Sequence, residues 1–120
     1  MNTFGKFISK KRMEKGLSLR KLSKLIDISP EYLSKLENNL RTAPKDIIIE
    51  KIADKLSLCY EEKEILFDLA AKSKSNLSLA SDLVKYINEN EMVHKTLRVA
   101  KRKNLSNEEW QEIFKLISKK

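Results

Sequence analysis

Glu31, Tyr32 and Lys35 have the residue types and spacing to act on a partner. With Pro30 at the first position of a helix, these three fall on one outward face because 3 to 4 residues make a turn, while Leu33 and Leu36 point inward. A carboxylate acceptor, an amphipathic ring and a cation on one face offer hydrogen bonding, stacking and charge, the chemistry of gripping a molecule. Bond-making chemistry finds no such set. The sequence has no Gly-rich phosphate loop, no metal-ligand spacing and no Ser-Lys self-cleavage arrangement. Cys59 and His94 are the single residues of their kinds, so neither an internal disulfide nor a metal cluster can be assembled from them. Cys59, between Leu58 and Tyr60, reads as a small buried apolar group, and His94 as a surface residue. The sequence predicts no enzyme, no cofactor and no metal.

Charge indicates what the gripped molecule is. The 120 residues carry 25 Lys+Arg against 17 Asp+Glu, a net +8. Residues 1–45 hold 11 basic and 4 acidic side chains, residues 46–72 hold 4 and 7, and residues 73–120 hold 10 and 6, so the positive field is mostly N-terminal. Concentrated positive charge points to a polyanionic partner, against the plainer reading of a lysine-rich solvated surface. Met1 to Lys15 has no apolar signal region and no stretch approaches the ~18 apolar residues that span a bilayer, which predicts a soluble chain without a membrane partner. A lone cysteine fits a reducing cytoplasm.

Two glycines and two prolines argue against a turn-rich β fold, and the apolar periodicity is helical throughout. A first helix carries Phe4, Phe7, Ile8 and Met13 and ends at Gly16. Ser18 caps a two-turn second helix with Leu19, Leu22, Leu25 and Ile26; Ser29 and Pro30 open a third. Pro44 is expected to open a fourth, striped by Ile48, Ile49, Ile52, Ala53 and Leu56, and a fifth runs from Glu61 to Lys72, burying Ile65, Leu66, Leu69 and Ala70. Ser73 to Asn76 reads as a polar joint. Beyond it come helices over 79–88, 91–103 and 107–119, the last announced by a Ser106/Glu109 capping box ahead of Trp110, Ile113, Phe114 and Ile117.

From Leu19 to Asn38, Leu22, Ile26, Ile28, Leu33 and Leu36 can share one small core, with the small Ser23 where two helices cross and Asp27 where the chain reverses. That is a helix-turn-helix. From about Phe4 to Leu58 the chain resembles the phage-repressor family of such proteins, the Cro and cI-like or XRE group. The resemblance is carried by Glu14-Lys15-Gly16-Leu17-Ser18, Ile28-Ser29 and Tyr32-Leu33-Ser34-Lys35-Leu36-Glu37-Asn38. It implies an all-α fold, a five-helix repressor-like domain over residues 1–72 with its third helix in the DNA major groove, followed by a short helical C-terminal extension over 77–120.

By that resemblance Glu31, Tyr32 and Lys35 face bases, where a carboxylate can accept from cytosine N4 and a tyrosine can meet a thymine methyl or a phosphate. Ser18, Leu19, Arg20, Ser29, Asn38 and Arg41 stand at positions that meet phosphates, and Arg12 and Glu37 match a structural ion pair. Departures are Leu19, where the family often has a phosphate-bonding glutamine, Asp27 for glycine, Ser23 for alanine, and Lys11 for a core leucine. The implied function is a sequence-specific regulator of double-stranded DNA, a homodimeric repressor of a bacterium or mobile element, with the dimer contact around Leu66, Leu69, Trp110 and Phe114. The alternative is an adaptor or antagonist whose C-terminal half binds a protein, such as a toxin or phage-defence effector, and which uses DNA for autoregulation. Arg98, Lys101, Arg102 and Lys103 suit a helix C-terminus by the macrodipole, and a second DNA contact from them stays open.

Overall fold

Every regular element that the computed structural model describes, over residues 2–74 and 79–120, is an α-helix. Thr3 caps α1 (Phe4–Glu14), its Oγ accepting from the Lys6 N–H at 3.2 Å. Gly16, at φ +68°, ends the helix by entering the left-handed region that a glycine enters without steric cost. Ser18 and Ser29 cap α2 (Leu19–Leu25) and α3 (Pro30–Glu37), and Pro30 sits in the first turn of α3. Then follow α4 (Asp46–Lys55) and α5 (Tyr60–Lys74). The chain continues with α6 (Ser81–Glu89), α7 (Glu91–Lys103) and α8 (Asn107–Ser118), whose capping box of Ser106 and Glu109 is fully formed.

The molecule divides into two compact units, Met1–Val84 and Lys85–Lys120. In the first, Phe4, Phe7 and Ile8 of α1 bury together with Leu22 and Ile26, Leu33 and Leu36, Ile49, Ile52 and Leu56, and Leu66 and Phe67. Each helix contributes one stripe at helical spacing, and the stripes close on a single core. In the second unit only Ala100 is buried; Met92, Phe114, Leu116 and Ile117 are exposed.

Five expectations are corrected here. Pro44 does not begin α4: Ala43 and Pro44 are buried, the Ala43 N–H donates to Ser73 Oγ on α5 at 2.9 Å, and the chain stays extended until Asp46. Ser73 and Lys74 belong to α5 and not to a joint, because Ser73 Oγ also donates to the Ala70 carbonyl at 2.8 Å; Ser75 and Asn76 lie outside the described residues. Phe67 takes the core place expected of Ile65, which is 43% exposed, and Leu25 likewise faces outward. Leu66 is fully buried within its own domain, so it cannot meet a second copy.

Lys11, standing where a core leucine was expected, is accommodated by its length. Its ammonium lies 5.7 Å from the centre of the Phe7 ring and pairs with Glu62 of α5 and, at 3.3 Å, with Glu14. The aliphatic stem covers apolar surface while the charge ties α1 to α5. Glu62 is drawn down to about 2, first by the hydrogen bond from Lys11 and then by those from Cys59.

Candidate nucleic-acid interface

The turn between α2 and α3 is fixed by side chains too small or too polar to serve elsewhere. Ser23 is buried and its Oγ donates to the Arg20 carbonyl at 2.8 Å, which leaves α3 free to pass close by. Asp27 takes φ +59°, and the Ile28 N–H then donates to the Ser23 carbonyl at 3.0 Å. Asp tolerates this left-handed geometry better than most side chains, which makes it an adequate stand-in for glycine. Ile26, at 0% exposure, and the half-buried Ile28 pin the turn to the core.

At the start of each helix a serine Oγ accepts a backbone N–H: Ser18 from Lys21 and Ser29 from Tyr32, both at 3.1 Å. A hydroxyl that accepts in a cap still has its own hydrogen to donate, so both serines can cap and hold an oxyanion together. Arg20 is exposed in the first turn of α2. Leu19 is half-buried and packs against the core, which explains how a position that holds a phosphate-bonding glutamine in the resembling family is filled here by an apolar side chain.

On α3 the two faces separate cleanly. Leu33 and Leu36 have no exposed surface, whereas Glu31 and Lys35 are exposed. Tyr32 lies between them in character: its ring is half-buried against the core, which fixes the direction of the side chain. Asn38, the residue after α3, is exposed and donates from Nδ2 to the Ser34 carbonyl at 2.9 Å. Arg41 is exposed in the loop that follows. Ser29, Glu31, Tyr32, Lys35 and Asn38 thus belong to one helix and its ends, Ser18 and Arg20 to the start of α2, and Arg41 to the α3–α4 loop.

The end of α3 is held by an ion pair reaching back 25 residues. Arg12 Nε donates to Glu37 Oε2 at 2.8 Å and Nη2 to Oε1 at 2.9 Å, with the side chains only 12% and 7% exposed. Its third nitrogen, Nη1, donates to the Leu17 carbonyl at 2.9 Å, while the Leu17 N–H donates to the Arg12 carbonyl at 3.1 Å. One guanidinium therefore joins α1, the turn into α2 and the end of α3. The hydrogen bond to Glu37 raises the Arg12 pKa above its ordinary value, so the cation persists at any ordinary pH.

Two residues that the sequence reading passed over support the same helix. Gly5 on α1 lies so close to the end of α3 that a Cβ would fall 2.7 Å from the Glu37 carbonyl carbon and nearer still to the carbonyl oxygens of Leu36 and Glu37. Asn39, at φ +59°, accepts the Gly5 N–H at 3.2 Å and donates to Thr3 Oγ1 at 3.0 Å. A lone glycine inside a helical pattern and an Asn-Asn pair after a helix were the available signals. Cys59 is a further correction: it is exposed, not buried, at the residue before α5, where its N–H donates to Glu62 Oε1 at 3.0 Å. A hydrogen bond from the Glu62 backbone pulls the thiol pKa down, but desolvation and the carboxylates of Glu62 and Glu61 outweigh it and hold the thiol above its ordinary value. Such a thiol is a poor nucleophile.

A family model described as helix-turn-helix matches residues 8–59. A solved structure described as a SinR protein/SinI protein complex is similar over 97% of this chain and 95% of its own, at 25% identity and a TM-score of 0.51. Among curated proteins none matches the chain. No helix among the described residues is long and apolar enough to cross a membrane. Residues 8–59, the segment that folds as α1 to α4 and the turn between α2 and α3, therefore match a helix-turn-helix.

Proposed function

We propose that the chain is a homodimeric, sequence-specific transcriptional repressor of a bacterium or mobile element, with residues 1–72 reading duplex DNA and residues 77–120 serving assembly or partner binding. The observation that carries this reading is the division of α3, whose Leu33 and Leu36 are wholly buried while Glu31 and Lys35 face water. A helix anchored so firmly on one face presents the other as a rigid probe. Glu31, Tyr32 and Lys35 read base edges; Ser18, Arg20, Ser29, Asn38 and Arg41 hold phosphates on either side. Arg12 and Glu37 keep the probe at a fixed angle. Occupancy of an operator by such a reader is enough to exclude other proteins, which is why repression is the mode proposed.

Assembly rests on the C-terminal unit. Phe114 is 71% exposed, and Met92, Leu116 and Ile117 are nearly as open. Two short amphipathic helices cannot bury such faces within themselves, and apolar surface left open on this scale marks an interface. Trp110 and Phe114 remain in the proposed contact; Leu66 has left it. A second reading draws on the same surface. The similar solved structure pairs two proteins, so these helices can instead receive a different chain, making this protein an adaptor or antagonist that uses DNA for autoregulation.

Selection from a random duplex library, with the mass of the oligomer measured on the winning site, tests both. The first reading expects two protomers on pseudo-palindromic half-sites about one helical turn apart, ~34 Å. It also expects affinity to fall ~10³-fold or more between about 50 and 200 mM salt if roughly six to ten phosphates are neutralised. A monomer on a single half-site at all working concentrations refutes the dimer, and a salt-independent complex refutes the mode of binding.

A further inference from the structure

The structure points to a second, sequence-blind phosphate site on α7, and we propose that Arg98, Lys101 and Arg102 grip the backbone of duplex DNA. This rests on the reading of the chain as a DNA-binding protein but concerns a different unit and a different kind of contact. From Met92 to Asn107 the sequence has five Lys and Arg and no acidic residue. Residues 98, 101 and 102 are three and four apart, so they share one side of the helix. There they rim a recess of about 410 Å³.

None of the three is in an ion pair among the described residues, in contrast to Lys95, which is held by Glu91 at 3.2 Å. All three are exposed, while Ala100 on another side of α7 is buried. A partner that covers the apolar side through Val93 and Leu97 would leave this basic side in water. The macrodipole explains why cations are tolerated at this end of α7, where Asn104, at φ +51°, closes the helix. It does not explain a recess lined by two arginines and a lysine. Planar guanidinium forks and a nearby ammonium fit a tetrahedral oxyanion, and phosphodiesters repeating along a strand supply several. Duplex DNA is favoured over an acidic protein because the same chain already carries a DNA-reading domain, which raises the local concentration of phosphates around α7.

The test uses the full chain and the duplex recovered by selection, with a scrambled duplex of equal length. The variant combines Arg98→Gln, Lys101→Gln and Arg102→Gln; a companion with Arg98→Lys and Arg102→Lys keeps the charge. Affinity is measured against salt by fluorescence anisotropy, and oligomer mass and helicity are checked alongside. Three lost phosphate contacts in each protomer lower the slope of log affinity against log salt by about 2.7 per bound protomer, so the parent's advantage grows roughly forty-fold per protomer from about 200 to 50 mM salt. The proposal expects this loss on both duplexes alike, with base preference and oligomer mass unchanged and the slope retained by the charge-keeping companion. An unchanged slope in the triple variant overturns it and leaves the patch to an acidic protein or to solvent, while the DNA-reading proposal stands. A changed oligomer mass, a changed base preference, or equal losses in the companion also overturn it. If the parent binds no duplex at all, the DNA-reading proposal fails first and takes this one with it.

Discussion

Replacing Glu37 by alanine removes both hydrogen bonds to a guanidinium that is only 12% exposed. Breaking a buried pair from one side costs about 3–5 kcal/mol, because the remaining charge is left without its partner. Arg12 keeps the Leu17 carbonyl at 2.9 Å, which places the expectation near the lower end, about 3 kcal/mol. For a unit of this size each kcal/mol moves the melting temperature by roughly 4–8 °C, so a drop on the order of 12–24 °C follows. Far-ultraviolet circular dichroism during thermal and urea unfolding is the appropriate readout. Trp110, the single tryptophan, lies in the other unit, so its fluorescence does not report on this domain. Replacing both partners by apolar residues, Arg12→Met with Glu37→Leu, is expected to recover most of the loss, since no charge is then stranded. An alanine variant within about 0.5 kcal/mol of the parent would show that the pair does not hold α3 in place, well below the range expected for a buried pair.

Lys35→Ala is expected to relax preference at particular base pairs by ~1–3 kcal/mol per lost contact, whereas Arg41→Ala weakens selected and scrambled duplexes alike; the reverse pattern sinks the assignment of reading and anchoring roles. Glu62→Gln tests the bridge between α1 and α5. The Glu62 pKa is about 2 against an ordinary 4.5, so its contribution is complete above about pH 4.5 and disappears as pH falls towards 2. The melting-temperature difference between parent and variant should therefore be constant from neutral pH down to about 5 and close below it, and a difference that stays unchanged from neutral pH down to about 2 contradicts the mechanism. Lys11, raised above 10.5 chiefly by the same hydrogen bond, keeps its share until strongly alkaline pH. Gly5→Ala should destabilise by roughly 1–3 kcal/mol, because the new methyl meets backbone that cannot swing aside; unchanged urea unfolding refutes that. Phe114→Asp should reduce the oligomer to monomer by sedimentation while leaving the fold of residues 1–84 intact, and an unaltered mass removes α8 from the proposed interface.

The helices and the turn were legible because their signals are local. Ser18, Ser29 and the Ser106/Glu109 box act over three residues, Gly16 and Asp27 mark reversals by their own backbone freedom, and the inner leucines of α3 follow from a period shared by every helix. The outward placement of Glu31 and Lys35 is fixed by that same period once Leu33 and Leu36 are known to be inside. The match of Arg12 to Glu37 came from resemblance to a family; spacing alone does not pair residues 25 positions apart. Other outcomes depended on which neighbour lies against which face. Phe67 rather than Ile65 enters the core because α5 turns that side toward α1 and α4, a rotation its own mixed pattern leaves undecided. Pro44 stays outside α4 where its neighbour Ala43 donates its N–H to Ser73 Oγ, 30 residues away in the chain. Gly5 is needed only where α1 touches the end of α3. Periodicity fixes which face of a helix is apolar, but which residues of that face are sealed and which close contacts tolerate only glycine are settled when the helices meet.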